Sequence, residues 1–157
     1  MKTFCRRWLD IGSGDLGKIY VEVIGCDGLP NKDMDLVKSG NKTDSFVSLV
    51  YEDVIAKTDI IDDCLSPRWL PWMQRAFIFR MMHTSSNLHI AVFDFDPGFA
   101  DDHDICGKIS IDLANLVSGT EYLLVSTAWT AWTYPNFAEL FLRARSHFPV
   151  VSVKIAI

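Results

Sequence analysis

Of the twenty acidic residues in the chain, sixteen are aspartates, and eight of those fall in two short segments. The first segment carries Asp33, Asp35 and Asp44; the second carries Asp94, Asp96, Asp101, Asp102 and Asp104. Five carboxylates within eleven residues repel one another unless a cation or solvent offsets the charge. Hard oxygen donors at this density suit calcium, which takes about 6–8 oxygens in flexible geometry. The short aspartate side chain can ligate from a loop without a long excursion. The competing account is a set of Asx-turns on a solvated face, and spacing by itself leaves both open. An EF-hand is excluded: Asp94-Phe95-Asp96-Pro97-Gly98 opens like one, but its twelfth position is Ile105, which offers no bidentate carboxylate. His103 and Cys106 among carboxylates make a poor structural zinc set.

Both aspartate segments sit between stretches of period-two alternation, the pattern of half-buried strands. Such stretches run through Ile19–Ile24, Phe46–Val50, Val54–Ile60, Ala76–Phe79, Leu88–Phe93, Ile109–Leu113 and Val151–Ile157. The first acidic segment lies between the strand ending near Gly25 and the one starting near Ser45. The second lies between the strand ending at Phe93 and the one starting near Cys106. Only Asp112–Leu116 reads as a helical turn. Seven to nine short strands in one chain predict an all-β antiparallel sandwich. Residues 1–16 read as an N-terminal arm, 17–145 as the sandwich, and 146–157 as an extension or extra strand. Glu139–Arg145 is the candidate for the closing strand. Trp69, Trp72, Phe77 and Phe79 are expected in the core.

The chain has 157 residues with 49% apolar and 22% charged side chains, the composition of a globular domain. Its net charge of −5 argues against nucleic acid as a partner and against unaided attraction to an anionic membrane. Cys5, Cys26, Cys64 and Cys106 show no Cys-x-x-Cys spacing and read as reduced thiols. No apolar run follows the basic residues near Met1, so no secretory signal is expected. Gly12-Ser13-Gly14-Asp15-Leu16-Gly17-Lys18 imitates two phosphate-binding motifs but leads into a strand pattern, not a helix. A Gly-rich entry to the first strand explains it better. No Gly-x-Ser-x-Gly or His-Glu-x-x-His constellation points to an enzyme.

Four motifs in order carry a family resemblance. They are Leu29-Pro30-Asn31-Lys32-Asp33; Gly40 to Val47, containing Asp44; Ser66-Pro67-Arg68-Trp69; and Asp94-Phe95-Asp96 with Asp104-Ile105-Cys106-Gly107. From Lys18 to about Leu124 the chain resembles a C2 domain, the calcium-dependent phospholipid-binding β-sandwich of conventional protein kinase C and synaptotagmin. The resemblance implies an eight-stranded Greek-key sandwich. It also implies calcium carried by Asp33, Asp44, Asp94, Asp96 and Asp104. Both acidic loops are longer than the family pattern, so Asp35 and Asp102 stand as substitutes for Asp33 and Asp104.

Met34, Leu36, Val37 and Phe99 sit at the expected loop tips, where apolar side chains imply a partner. Inserted at a membrane boundary, each is worth up to about 1.5–3 kcal/mol. The expected function is calcium-dependent binding to anionic phospholipid membranes by a monomeric, cytoplasmic, reversibly peripheral module with no catalytic role. The alternative is a calcium-independent protein-interaction domain on the same fold.

Overall fold

The computed structural model describes residues 8–32, 41–96, 103–127 and 150–156. Nine strands occur among them: β1 (Trp8–Ile11), β2 (Gly17–Asp27), β3 (Ser45–Tyr51), β4 (Val54–Lys57), β5 (Ala76–Met81), β6 (Asn87–Asp94), β7 (Ile105–Asp112), β8 (Glu121–Thr127) and β9 (Val150–Ala156). They form a five-stranded sheet, β1-β5-β2-β9-β8, and a four-stranded sheet, β4-β3-β6-β7. Every pairing is antiparallel except β1 with β5. The predicted all-β sandwich is therefore present, with β1 as a ninth strand beyond the eight expected. The predicted turn at Asp112–Leu116 is a single 3-10 turn, Leu113–Asn115, capped by the Asp112 carboxylate accepting from the Ala114 amide.

Alternation decides which side chains enter the core. Along β3 and β6, the pairs Val47↔Val92, Leu49↔Ile90 and Tyr51↔Leu88 face inward, and all six are at most 1% exposed. They meet Ile19, Val21 and Val23 of β2 and Phe77 and Phe79 of β5, all fully buried. The same inward register continues one pair further, to Ser45↔Asp94. A carboxylate thus occupies the last inward position of β6, and Asp94 is only 1% exposed.

The arm enters the sheet because β1 adds to the edge of β5, Trp8↔Ala76 to Ile11↔Phe79. Arg80 of β5 clamps Asp10 with two hydrogen bonds, 2.8 and 2.9 Å. The chain then squeezes past the end of β5. A Cβ on Gly14 would lie 2.0 Å from the Met81 carbonyl oxygen, so only glycine fits. The glycine-rich segment that imitates a phosphate loop is thus a packing device. Gly25 has a similar role at the bulge in β2, where the backbone meets Pro67 and Arg68.

One expectation is corrected. Trp69 is 1% exposed and donates its indole N–H to the Asp59 carbonyl at 2.7 Å, as a core residue should. Trp72 is not core: it is 68% exposed. It follows Pro71 in a turn closed by the Met73 amide on the Leu70 carbonyl, which lifts it off the sheet. β9 has a definite place in the larger sheet. It lies between β2 and β8 and pairs along its whole length with both. The 146–157 segment therefore supplies an internal strand; Glu139–Arg145 lies outside the described residues. Alternation marks a strand but does not name its neighbours, so the sequence could not rank the two.

Candidate metal site

β2 ends, β3 begins, β6 ends and β7 begins at one end of the sandwich, so the connections between them converge there. The stems of the first acidic loop are pinned to each other. The Thr43 hydroxyl donates to the Pro30 carbonyl at 2.7 Å and accepts from the Lys32 amide at 3.1 Å, and Thr43 is fully buried. The Asn31 side-chain amide adds a bond to the Asn41 carbonyl. Asp33, Asp35, Met34, Leu36 and Val37 lie outside the described residues, but Lys32 fixes where that stretch begins.

Asp44 and Asp94, fifty residues apart, meet directly: the Asp44 amide donates to Asp94 Oδ1 at 2.8 Å. The Phe95 amide returns a bond to the Asp44 carbonyl at 2.8 Å, and the Asp94 amide binds the Asp104 carbonyl at 2.8 Å. Asp96 follows two residues on, at an exposed position. Four of the five predicted ligands are therefore at one end, on three chain segments. Phe99, Asp101 and Asp102 lie outside the described residues.

The Cys106 thiol reports the same convergence. Burial pushes it up to about 12; the Asp94 and Asp104 carboxylates push the same way, and Lys32 opposes them. Cys26 is also raised to about 12, chiefly by burial. Cys26, Cys64 and Cys106 are free thiols. Thiols so hard to ionise without a metal are poor nucleophiles.

Asp63 belongs to this end and the sequence reading missed it. It sits in the left-handed region (φ 53°). Its amide donates to Asp44 Oδ1 at 2.7 Å, and its own Oδ1 accepts from the Lys42 amide at 2.9 Å. The Asp62-Asp63 doublet before Cys64 was the available signal, since aspartate tolerates this backbone in turns. Asp44 is thus oriented from both sides before any ligand arrives. A carboxylate has about four lone-pair sites, so an amide on one oxygen leaves capacity for a cation.

Among the described residues no group of three His, Cys, Asp or Glu side chains is gathered closely enough to hold a metal ion. The donor chemistry expected from the sequence still fits calcium: that set is all oxygen, and Asp94 places a buried carboxylate at this end of the sandwich. No helix among the described residues is long and apolar enough to cross a membrane.

The C2 domain family profile matches residues 17–126. The chain belongs to the C2 domain family.

Known structures agree with this fold. The first-lettered (A) C2 domain of plant Extended Synaptotagmin 1 superposes with a TM-score of 0.68 at 18% identity, covering 90% of this chain and 93% of that one. The calcium-bound pair of C2 domains, A and B, of Extended-Synaptotagmin 2 gives 0.65 at 21% identity, covering 89% of this chain and 45% of that one. Human GIVD cytosolic phospholipase A2, in complex with methyl gamma-linolenyl fluorophosphonate, gives 0.63 at 18% identity, covering 88% of this chain. The present chain spans 16% of that enzyme's length. No curated protein sequence matches the chain.

Among the described residues of this C2 domain, the arginines that could form a basic face are largely committed. Arg75 pairs with Glu22 at 2.6 Å, with side chains 12% and 4% exposed. Arg68 clamps Asp27 at 2.6 and 2.8 Å.

Proposed function

We propose that this C2 domain docks reversibly on anionic phospholipid membranes, and that calcium held by Asp33, Asp44, Asp94, Asp96 and Asp104 controls the docking. Asp35 and Asp102 are the substitutes. The observation that carries the reading is the contact of the Asp44 amide with Asp94 Oδ1, 2.8 Å across fifty residues of chain. It brings two independent acidic segments to one mouth. The Asp104 carbonyl on the Asp94 amide brings the far stem of the second acidic loop to the same place.

The residues divide the work. Asp94 and Asp44 are held by backbone amides, so their carboxylates are oriented without an entropic cost at binding. Asp96 and Asp104 are exposed and repel anionic headgroups while no cation is held. Bound calcium would supply about two positive charges per ion and coordination positions open to headgroup oxygens. With two or three ions the net charge of −5 rises to about −1 or +1, and the local change of sign is sharper. Met34, Leu36, Val37 and Phe99 then enter the headgroup boundary. The module acts by binding rather than catalysis, in the cytoplasm, as a monomer.

Co-sedimentation with phosphatidylserine–phosphatidylcholine vesicles tests this. Pelleting in calcium and release by chelator is the expected result. Equal pelleting in both, or none in either, overturns it in favour of calcium-independent protein interaction.

A further inference from the structure

Three consecutive amides fasten the near stem of the second acidic loop, the connection from β6 to β7: two reach its far stem and one reaches the start of β3. The Asp94 amide donates to the Asp104 carbonyl and the Phe95 amide to the Asp44 carbonyl, both backbone bonds at 2.8 Å. The third, the Asp96 amide, donates to a side chain: His103 Nδ1, at 3.3 Å. The pairing of β6 with β7 ends at Phe93↔Ile105, and two residues beyond Asp94 the imidazole takes the place of the missing strand carbonyl.

The ring is itself held. It lies tilted against Phe95 with centroids 5.1 Å apart and edge-on to Phe46 at 5.2 Å. Phe46 stacks on Phe93 at 5.5 Å and carries Lys57 Nζ 5.4 Å from its centroid. Phe46 is only 4% exposed although it lies on the outer side of its sheet, because this cluster covers it. The imidazole is thus wedged by rings from β3 and from the Asp96 stem, with its acceptor nitrogen aimed at one amide.

We infer that His103 is a positioning residue: through Nδ1 it closes the base of the second acidic loop and sets the backbone direction from which the Asp96 carboxylate leaves. The inference rests on the calcium reading for its use and on the hydrogen bond and ring contacts for its existence. Phenylalanine at this position keeps the wedge and removes the acceptor. Asparagine keeps an acceptor near the Nδ1 position and removes the ring.

The test starts with the unmodified apo protein. Nitrogen-15 spectra should show a coupling across the hydrogen bond between the Asp96 amide and His103 Nδ1. In His103→Phe the Asp96 amide should exchange about tenfold faster. Calorimetric calcium affinity without lipid should fall about three- to tenfold, with the thermal midpoint nearly unchanged. His103→Asn should recover most of the amide protection and affinity. If calcium binds and the coupling is absent, the inference is overturned; so it is if the Phe variant folds and matches wild type in both exchange and affinity. If the coupling is present and the wild type takes up no calcium, the calcium reading fails and the loop clasp stands.

Discussion

The two ends of this sandwich treat their carboxylates in opposite ways. At the end away from the acidic loops, Glu52 sits in a left-handed turn (φ 51°) between β3 and β4. Its carboxylate accepts from the Met82 amide at 2.9 Å, the His83 amide at 2.8 Å and the Ser86 hydroxyl at 2.9 Å. One anion is shared among three donors and ties two turns together. At the other end, Asp44 and Asp94 each hold an amide in place, and Asp63, Asp96 and Asp104 bring further negative charge to the same mouth. A carboxylate surrounded by protein donors is structural. Like-charged carboxylates brought to one end from separate segments, with some of them exposed, are what the proposed calcium site draws on.

The sharpest way to break that comparison is to neutralise the acidic end. Asp94→Asn with Asp96→Asn should reduce calcium-dependent vesicle binding by about a hundredfold or more, each lost charge pair being worth at least about 2 kcal/mol. The apo melting temperature should hold or rise, because repulsion is relieved. Vesicle titration with parallel thermal melts checks both.

Glu52→Ala should do the reverse. It strands two backbone donors and should cost about 2 kcal/mol, or roughly 4–8 °C in thermal midpoint, while calcium affinity stays within about twofold. A melt paired with a calcium titration would show it.

A smaller effect is expected from Phe99→Ala: membrane affinity down about fivefold for shallow insertion, and calcium affinity without lipid unchanged.

Acid should probe the Glu52 end selectively. Burial alone would raise the Glu52 carboxyl, but the Met82 amide, the Ser86 hydroxyl and the His83 amide outweigh it and hold the group below its usual range. A carboxyl lowered on folding contributes stability that is complete above its unfolded pKa, about 4.3. That contribution fades as pH falls through the folded value. The wild type should therefore lose more stability than Glu52→Gln between pH 5 and 3, by a few degrees in midpoint at most.

How much of this was legible follows from what alternation and spacing encode. The inward register of β3 and β6 was readable because period two leaves no choice once one face is apolar. Asp94 was readable as a ligand candidate from the acidic spacing and the family resemblance, not from the register that it extends. The left-handed turn at Asp63 was hidden, since Asx chemistry permits such a turn without demanding it. His103 carries no spacing signal, because its partner amide is exposed only where a strand pairing stops. Trp72 misled because a large aromatic defaults to the core, and only the turn after Pro71 overrides that default. The neighbours of β9 could not be read, since strand adjacency is a property of the assembled sheet.

The placement of β9 has a consequence for synthesis. Residues matching the family profile stop at 126, yet β2 and β8 bond to each other only through Val150–Ala156. Until Val150–Ala156 takes its place, these two strands have nothing to bond between them. Both bare edges invite pairing with another nascent chain. Completion of the larger sheet is thus timed by the arrival of seven residues well after β8 has been made, and a fragment trimmed to the profile should aggregate.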